Sequence, residues 1–481
     1  MRNWLSLTGL VIVIGSLFSF LLLFVMDLTA HFANPYVGIL TYIIAPSFLT
    51  LGLILTGIGV IWERRKRGKS PGGLLPAMAV DLSRPRDRRY MVIFIACAVT
   101  FLLVSAIGSY HSYHISESTQ FCGQACHVPM KPEFTAYLNS PHARVACTEC
   151  HVGNGAEAFV AAKLNGIHQL ICVFTGKYQH PIKTPIKNLR PAQETCEQCH
   201  WPKKFDGNLD RTYSHFLADE TNTQFSVRLL LHVGGGDPTH GPTGGIHWHM
   251  SLANKVEYLA TDDRRQVIPW VRVTDSKGVV TEYRSPKFTN DISGYELRKM
   301  DCMDCHNRPS HRYSSPNDAV DLALTLGAID RSLPWVKSNA VAVLAAPYKD
   351  DAEAMQKIST TLHAKYPGHP SADALVQKVQ SIYSQNFFPE MKADWRAYPE
   401  NIGHKDWPGC FRCHDGLHKA VNDAKKSIPA TDCSACHTIL AQGNGAELDK
   451  LNAKGNTFIH IDSEYSDFDC SKCHTGAQQK E

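Results

Sequence analysis

Hydrophobic residues crowd the first 110 positions of this chain and become sparse and periodic afterwards. Residues 7–30, 36–62 and 91–108 are three apolar stretches long enough for helices that cross a hydrocarbon core of about 30 Å. The first runs on too far for a signal peptide and lacks a small-residue cleavage pattern, so it is expected to persist as a helix. The break at residues 63–90 holds Arg64, Arg65, Lys66, Arg67, Lys69, Arg84, Arg86, Arg88 and Arg89. Basic residues collect on the cytoplasmic side of membrane helices. The loop and the N-terminus are therefore expected inside, and the third helix delivers the rest of the chain to the outer face. Framed by apolar helices, the basic loop reads as a topology signal, and no nucleic-acid partner is expected.

Beyond residue 110 the pattern changes twice. Residues 201–300 are rich in Gly, Thr and β-formers, and 270–274 and 279–284 flank Asp-Ser-Lys-Gly at 275–278, which predicts a β-hairpin. Residues 233–245 read as loop. From 317 to about 395 a helical period takes over. It predicts helices at 317–329 capped by Asn317, at 335–345 with Pro334 in the first turn, at 352–365 after Asp350 and at 372–385 after Ser371. The last stretch leaves little room for regular structure and ends in a polar tail.

The polar residues of this second part share a repeat. Cys-x-x-Cys-His recurs as Cys147, Cys150, His151; Cys196, Cys199, His200; Cys302, Cys305, His306; Cys410, Cys413, His414; Cys433, Cys436, His437; and Cys470, Cys473, His474. A further copy, Cys122, Cys126, His127, has one more residue between its cysteines. Two cysteines followed at once by a histidine attach haem c: thioethers hold the porphyrin and the histidine ligates iron. Zinc knuckles and redox dithiols need no such histidine. Fourteen of the sixteen cysteines are used in this way. Cys97, in an apolar stretch, reads as a small packing residue, and Cys172 carries no signal. Seven covalent haems c are expected. Their porphyrins add apolar volume, so long regular elements are not required between sites.

The expected fold class is thus a membrane-anchored multihaem cytochrome c. It is mainly α, with three N-terminal transmembrane helices, a small β-rich insertion and little regular structure around packed haems. The expected division is an anchor at 1–109, a domain at 110–316 with the first four haems and the insertion 201–300, a helical spacer at 317–395, and a three-haem domain at 396–481. Composition adds one point. The formal charge of +4 belongs to the anchor, since residues 110–481 hold 39 basic and 41 acidic side chains. Haem propionates make that part more acidic still, so a partner with a basic docking face is expected. Among the seventeen histidines outside the motifs, His142, His215, His247, His249, His311, His404, His418 and His460 sit in contexts suited to the distal side of an iron.

The run FCGQACHVPM at 121–130, SPHARVACTECHVG at 140–153 and the lysine beyond resemble the NapC/NirT/NrfH family of membrane-anchored, quinol-oxidising multihaem cytochromes c. The likeness is closest over residues 109–170. It implies a methionine ligand to the first iron, matched by Met130 one position later than the family's C-H-x-M; whether His127, Met130 or both bind that iron stays open. It implies His142 as a distal ligand to another haem and Lys163 beside a quinol pocket. The family's acidic residue about two turns further on is missing, Gln169 and Leu170 occupy that region, and Lys163 with Gln169 are the expected quinol-site residues.

On this resemblance the chain is expected to oxidise menaquinol at the periplasmic face of the bacterial inner membrane, as a multi-pass protein with its haem domain in the periplasm. Electrons then pass to soluble periplasmic multihaem cytochromes, for respiration on metal or another external acceptor. The bilayer, menaquinol and those cytochromes are the expected partners. Quinol oxidation releases protons, so a polar group must orient the hydroxyl and take one; Lys163 could stabilise the developing negative charge. Two other readings stand beside this one. A terminal reductase of nitrite or a similar oxyanion needs an iron with an open position, which the surplus of histidines disfavours. A relay subunit fed by another membrane oxidoreductase needs no quinol site at all.

Overall fold

The computed structural model describes residues 4–30, 44–67, 83–93, 95–96, 99–100, 117–124, 127–152, 156–186, 189–235, 244–251, 253–429 and 433–461. Outside the described residues lie the start of the second expected span, most of the third, Cys126, and the last motif Cys470, Cys473, His474 with the polar tail. The side chains of His127, Lys163 and Cys433 lie outside them as well. The chain divides into two compact units, residues 1–122 with 146–171, and residues 123–145 with 172–481.

The first unit is built on α1 (Trp4–Ala30) and α2 (Ala45–Arg67). They run antiparallel and touch through small residues: Gly9 leaves no room for a Cβ against Thr56, nor Gly59 against Ser6, nor Gly52 against Gly9 and Val13. Small residues let helix backbones approach closely, which is what drives helix association where lipid removes the hydrophobic effect. The outward faces carry exposed Ile14, Phe18, Leu21, Leu53, Ile54 and Ile61. Among the described residues one stretch, Trp4–Leu22, is long and apolar enough to cross a membrane, and the apolar part of α2, Ser47–Glu63, is shorter. Trp4 meets Tyr90 edge-on at 6.4 Å and Arg86 lies over the Tyr90 ring at 5.8 Å. Aromatic and basic side chains thus share the end at which the basic loop begins, as at a membrane–water interface.

In chain order follow α3 (Thr119–Gln124), α4 (His127–Leu138), α5 (Cys147–His151), α6 (Ala156–Phe174) and the single turn α7 (Ala192–Thr195). The second unit then forms two antiparallel sheets. One has the order β1–β2–β9, from Leu209–Phe216, Gln224–Leu231 and His437–Gly443. The other has the order β6–β3–β4–β5–β7–β8, from Arg298–Lys299, Lys255–Leu259, Trp270–Thr274, Val280–Arg284, Lys419–Ala420 and Asp423–Ser427. The expected hairpin is β4–β5, with β5 starting one residue late. The Asp275 carboxylate accepts the N–H groups of Lys277 and Val279, both at 2.9 Å, which keeps Val279 in the turn. The segment after residue 396 departs from expectation. It supplies β7, β8 and β9 to the sheets of the insertion, so no structural boundary separates the two.

The helical stretch comprises α9 (Pro316–Thr325), α10 (Val336–Ala345), α11 (Asp351–Lys365) and α12 (Ala372–Asn386), preceded by the one-turn α8 (Cys302–Cys305). Three boundaries correct the sequence reading. Ser315, not Asn317, caps α9, because Pro316 fits the first helical position and the Ser315 hydroxyl accepts the Asp318 N–H. That helix ends at Thr325, four residues short of expectation. Gly327 there takes φ +68° and Ala328 N–H returns to the Ala323 carbonyl at 2.8 Å. Pro334 lies outside α10, since Trp335 adopts a left-handed conformation at its start. Asp350 caps α11 as expected, accepting the Glu353 N–H at 2.9 Å. Val320, Leu344, Ile358, Leu362 and Val379 close the core between these helices, joined by Ala136 of α4 and Phe216 of β1. Full burial of such side chains contributes about 1.5–3 kcal/mol each.

The β1–β2 hairpin is pinned to this core at its tip. Asn222, at φ +50°, donates to the carbonyls of Arg331 and Leu333 at 3.0 and 2.8 Å and accepts the Lys337 N–H at 2.9 Å. Below it the buried Lys337 ammonium pairs with Asp321, whose carboxylate also accepts Phe216 N–H at 3.1 Å.

Candidate haem-binding site

The Cys302–His306 and Cys410–His414 motifs sit on short turns that neighbouring side chains brace. Cys302–Cys305 forms the single turn α8, with Asp301 accepting the Met303 N–H and Asp304 accepting the Asp301 N–H, each at 2.8 Å. Buried Asp304 also receives the Tyr258 hydroxyl at 2.7 Å and Arg298 Nε at 2.6 Å. Its carbonyl takes Arg412 Nη2 at 2.8 Å and Asn401 Nδ2 at 2.9 Å. Arg412 lies between the cysteines of the next motif, so one motif braces the other. Asp304 and Arg412 escaped the sequence reading as variable positions; the D-x-x-D capping pattern at 301–304 was the available signal.

The attachment cysteines cluster. In the first unit a hydrogen bond from the Cys122 thiol holds the Cys147 thiol down at about 7. In the second, burial pushes Cys302 up to about 11, aided by neighbouring Cys196, and Cys305 up to about 12, aided by Cys410. Burial likewise raises Cys413 to about 12. Apolar surroundings of this kind suit a porphyrin edge, and a thioether removes the thiol proton altogether.

Motif histidines face histidines from distant parts of the chain. Ring centres stand 6.1 Å apart for His142 and His200, 6.3 Å for His247 and His306, 5.9 Å for His249 and His414, and 6.3 Å for His404 and His437. Two imidazoles on opposite sides of one iron need metal–nitrogen bonds of about 2 Å plus roughly 1.2 Å within each ring, a separation of about 6.4 Å. The residues present therefore fit a doubly ligated haem iron. Four of them engage the second nitrogen as metal-ligating histidines do. His142, His247, His249 and His414 donate from Nδ1 to the carbonyls of Pro309, Val233, Ile246 and Pro429, at 3.2, 3.2, 2.8 and 2.6 Å. Burial first, then the facing imidazole, lowers His247, His249 and His437 below the usual histidine range, and burial lowers His306. That keeps them in the neutral form a metal requires.

The remaining candidates lie elsewhere. His215 directs Nδ1 to the Asp321 carboxylate at 3.1 Å and His311 directs Nδ1 to the Glu133 carbonyl at 3.0 Å. His460 is next to last among the described residues. His418 is corrected. It is 1% exposed, with Nδ1 on Asp415 at 2.8 Å and Nε2 on the Ile268 carbonyl at 2.7 Å, so both nitrogens are spent on protein. His180 shows the anchoring that the sequence did not flag, with Nδ1 2.8 Å from the Glu390 carbonyl. Its context gave no signal because the next motif begins only at Cys196.

Met130 is half-buried in the first turn of α4, three residues after His127 on the same helix face. Lys163 and Gln169 both lie in α6. Six residues turn about 240° round a helix, so positions 163 and 169 stand about 120° apart on it.

Comparison with known proteins places this geometry in context. The model of the NapC/NirT cytochrome c family, N-terminal region, matches residues 84–194. The cytochrome c-type protein ImcH of Geobacter sulfurreducens is 39% identical over 99% of this chain and 96% of its own length. No solved structure matches the chain.

Proposed function

Because this chain belongs to the ImcH-type cytochromes c, whose N-terminal region is of the NapC/NirT family, we propose that it is a quinol-fed electron relay of the bacterial inner membrane. Membrane-anchored multihaem electron transfer follows from that kinship. Within it, menaquinol at the periplasmic face is the donor and soluble periplasmic cytochromes with a basic docking face are the acceptors. One haem c is held at each of the seven motifs, the membrane anchor is multi-pass, and an external acceptor such as a metal oxide ends the route.

The observation that carries this reading is the set of four facing histidine pairs. His200 with His142, His306 with His247, His414 with His249, and His437 with His404 would each hold a haem iron between them. Saturated iron leaves no seat for a substrate, which favours relay over terminal reduction. His127 and Met130 serve the first iron. His215, His311 and His460 are further candidates for distal ligands. Bound haem c supplies one-electron Fe(III)/Fe(II) chemistry. Lys163 orients the quinol hydroxyl and stabilises the negative charge that develops as its proton leaves.

An anaerobic assay with a menaquinol analogue and the protein in liposomes tests this. Prompt reduction of most of the haem is expected, and Lys163→Ala should slow it while leaving reduction by dithionite unchanged. If dithionite reduces the sample fully but quinol does not, the protein is a relay fed by another membrane oxidoreductase. Equal slowing of both reductions removes Lys163 from the mechanism.

A further inference from the structure

The 3₁₀ turn Ile246–Met250 carries two of the facing histidines, separated only by Trp248. His247 looks at His306 with ring planes 4° apart, and His249 looks at His414 with planes 84° apart. We propose that this turn is a shared ligand bridge. It closes the irons of the Cys302–His306 and Cys410–His414 haems from one rigid piece of backbone, so that the two respond as a coupled pair. The inference rests on the bis-histidine reading above.

Three observations carry it. The turn is wedged against the exit of β2. Ile246 N–H meets the His232 carbonyl at 2.8 Å and His247 N–H meets the Val233 carbonyl at 3.0 Å. A Cβ at Gly235, φ +96°, would collide with the His247 backbone, and one at Gly245, φ +76°, with the His232 carbonyl. Only glycine permits this approach at positive φ. The two rings are also fixed individually. His247 lies against Phe205 at 4.5 Å, His249 against Trp248 at 5.7 Å, and Asn254 Nδ2 holds the Trp248 carbonyl at 3.0 Å. On the opposite side the same two motifs are already joined, through Arg412 Nη2 on the Asp304 carbonyl. The haems are thus tied together on both faces, and a shift of the turn cannot reach one iron without the other. Gly235 and Gly245 are the positioning residues of this bridge.

The test uses the full-length, haem-loaded membrane protein, followed by EPR and an anaerobic potentiometric titration. Nearly parallel ligand planes give a rhombic low-spin ferric signal, and nearly perpendicular planes give one with a very large g maximum, so the two haems are distinguishable. His247→Met should abolish the rhombic signal of its haem and raise that potential, since thioether ligation does so. It should also shift the potential of the neighbour ligated by His249. Gly235→Ala, which removes no ligand, should move both signals together and leave the His142–His200 and His404–His437 haems unchanged. If His247→Met alters one haem and its neighbour keeps its potential, the bridge is overturned while six-coordination stands. If no low-spin signal is lost, His247 is not a ligand and the bridge falls with it. Neither outcome depends on quinol, so failure of the quinol-fed reading shows separately.

Discussion

In α9–α12 the chain makes its own interior: Val320, Ile358, Leu362 and Val379 reach 0% exposure against one another. In the six-stranded sheet the buried cluster is Val256, Tyr258, Ile268, Val271, Tyr283, Ala420 and Ile428, with Trp248 and the motif cysteine Cys413 packed against it. Both regions belong to one compact unit. They differ in what closes their cores. The helices bury leucine, isoleucine and valine at the 3.6-residue period and are complete as polypeptide. The sheets position turns, and in the proposed function haem would cross-link those turns through thioethers and iron, whose binding energy becomes folding energy.

The hardest way to break this contrast is to remove a haem attachment. Cys302→Ala with Cys305→Ala should strip hydrogen-exchange protection from residues 253–314 while α10–α12 keep theirs. Equal loss in both regions would show that the helices depend on haem too. Asp321→Ala is next. It leaves the buried Lys337 ammonium without its carboxylate and releases Phe216 N–H, which should cost about 3–5 kcal/mol in chemical denaturation. Because Asp321 also meets His215, a perturbed haem signal alongside the stability loss would show that the helical core reaches into the haem region; an unchanged spectrum would sharpen the division. The smallest effect is expected at the cap. Ser315→Ala should cost about 0.5–2 kcal/mol, visible as a lower melting temperature with haem absorbance untouched.

The same contrast governs what could be read in advance. Three of the four helices and the β4–β5 hairpin were legible to within a residue or so, because local period, Asp350 and the Asp275 turn specify them. The end of α9 was missed because Gly327 closes it with a left-handed cap that outweighs the apolar pattern running on to Ile329. The strands at 419–420, 423–427 and 437–443 were missed for another reason: each is defined by a partner far away, such as β2 for β9, and not by its own alternation. His418 illustrates the limit of context. It follows a motif as closely as His311 does, yet burial against Asp415 and Ile268 occupies both nitrogens.

By itself the sequence determined the chemistry and the kinship. Seven cysteine–histidine motifs, an apolar N-terminus with a basic loop, and the residues around Cys122–His151 are local patterns, and haem attachment, membrane anchoring and family membership are written in local patterns. Tertiary structure alone decided which histidines face each other. His247 and His249 reach His306 and His414 because glycine-tight backbone contacts hold their turn against the end of β2, and His142, tied to the Pro309 carbonyl, reaches His200 from a separate segment, each pair within about 6 Å, the span of one ligated iron. Such distances are set by packing across the whole unit, and no stretch of chain carries them on its own.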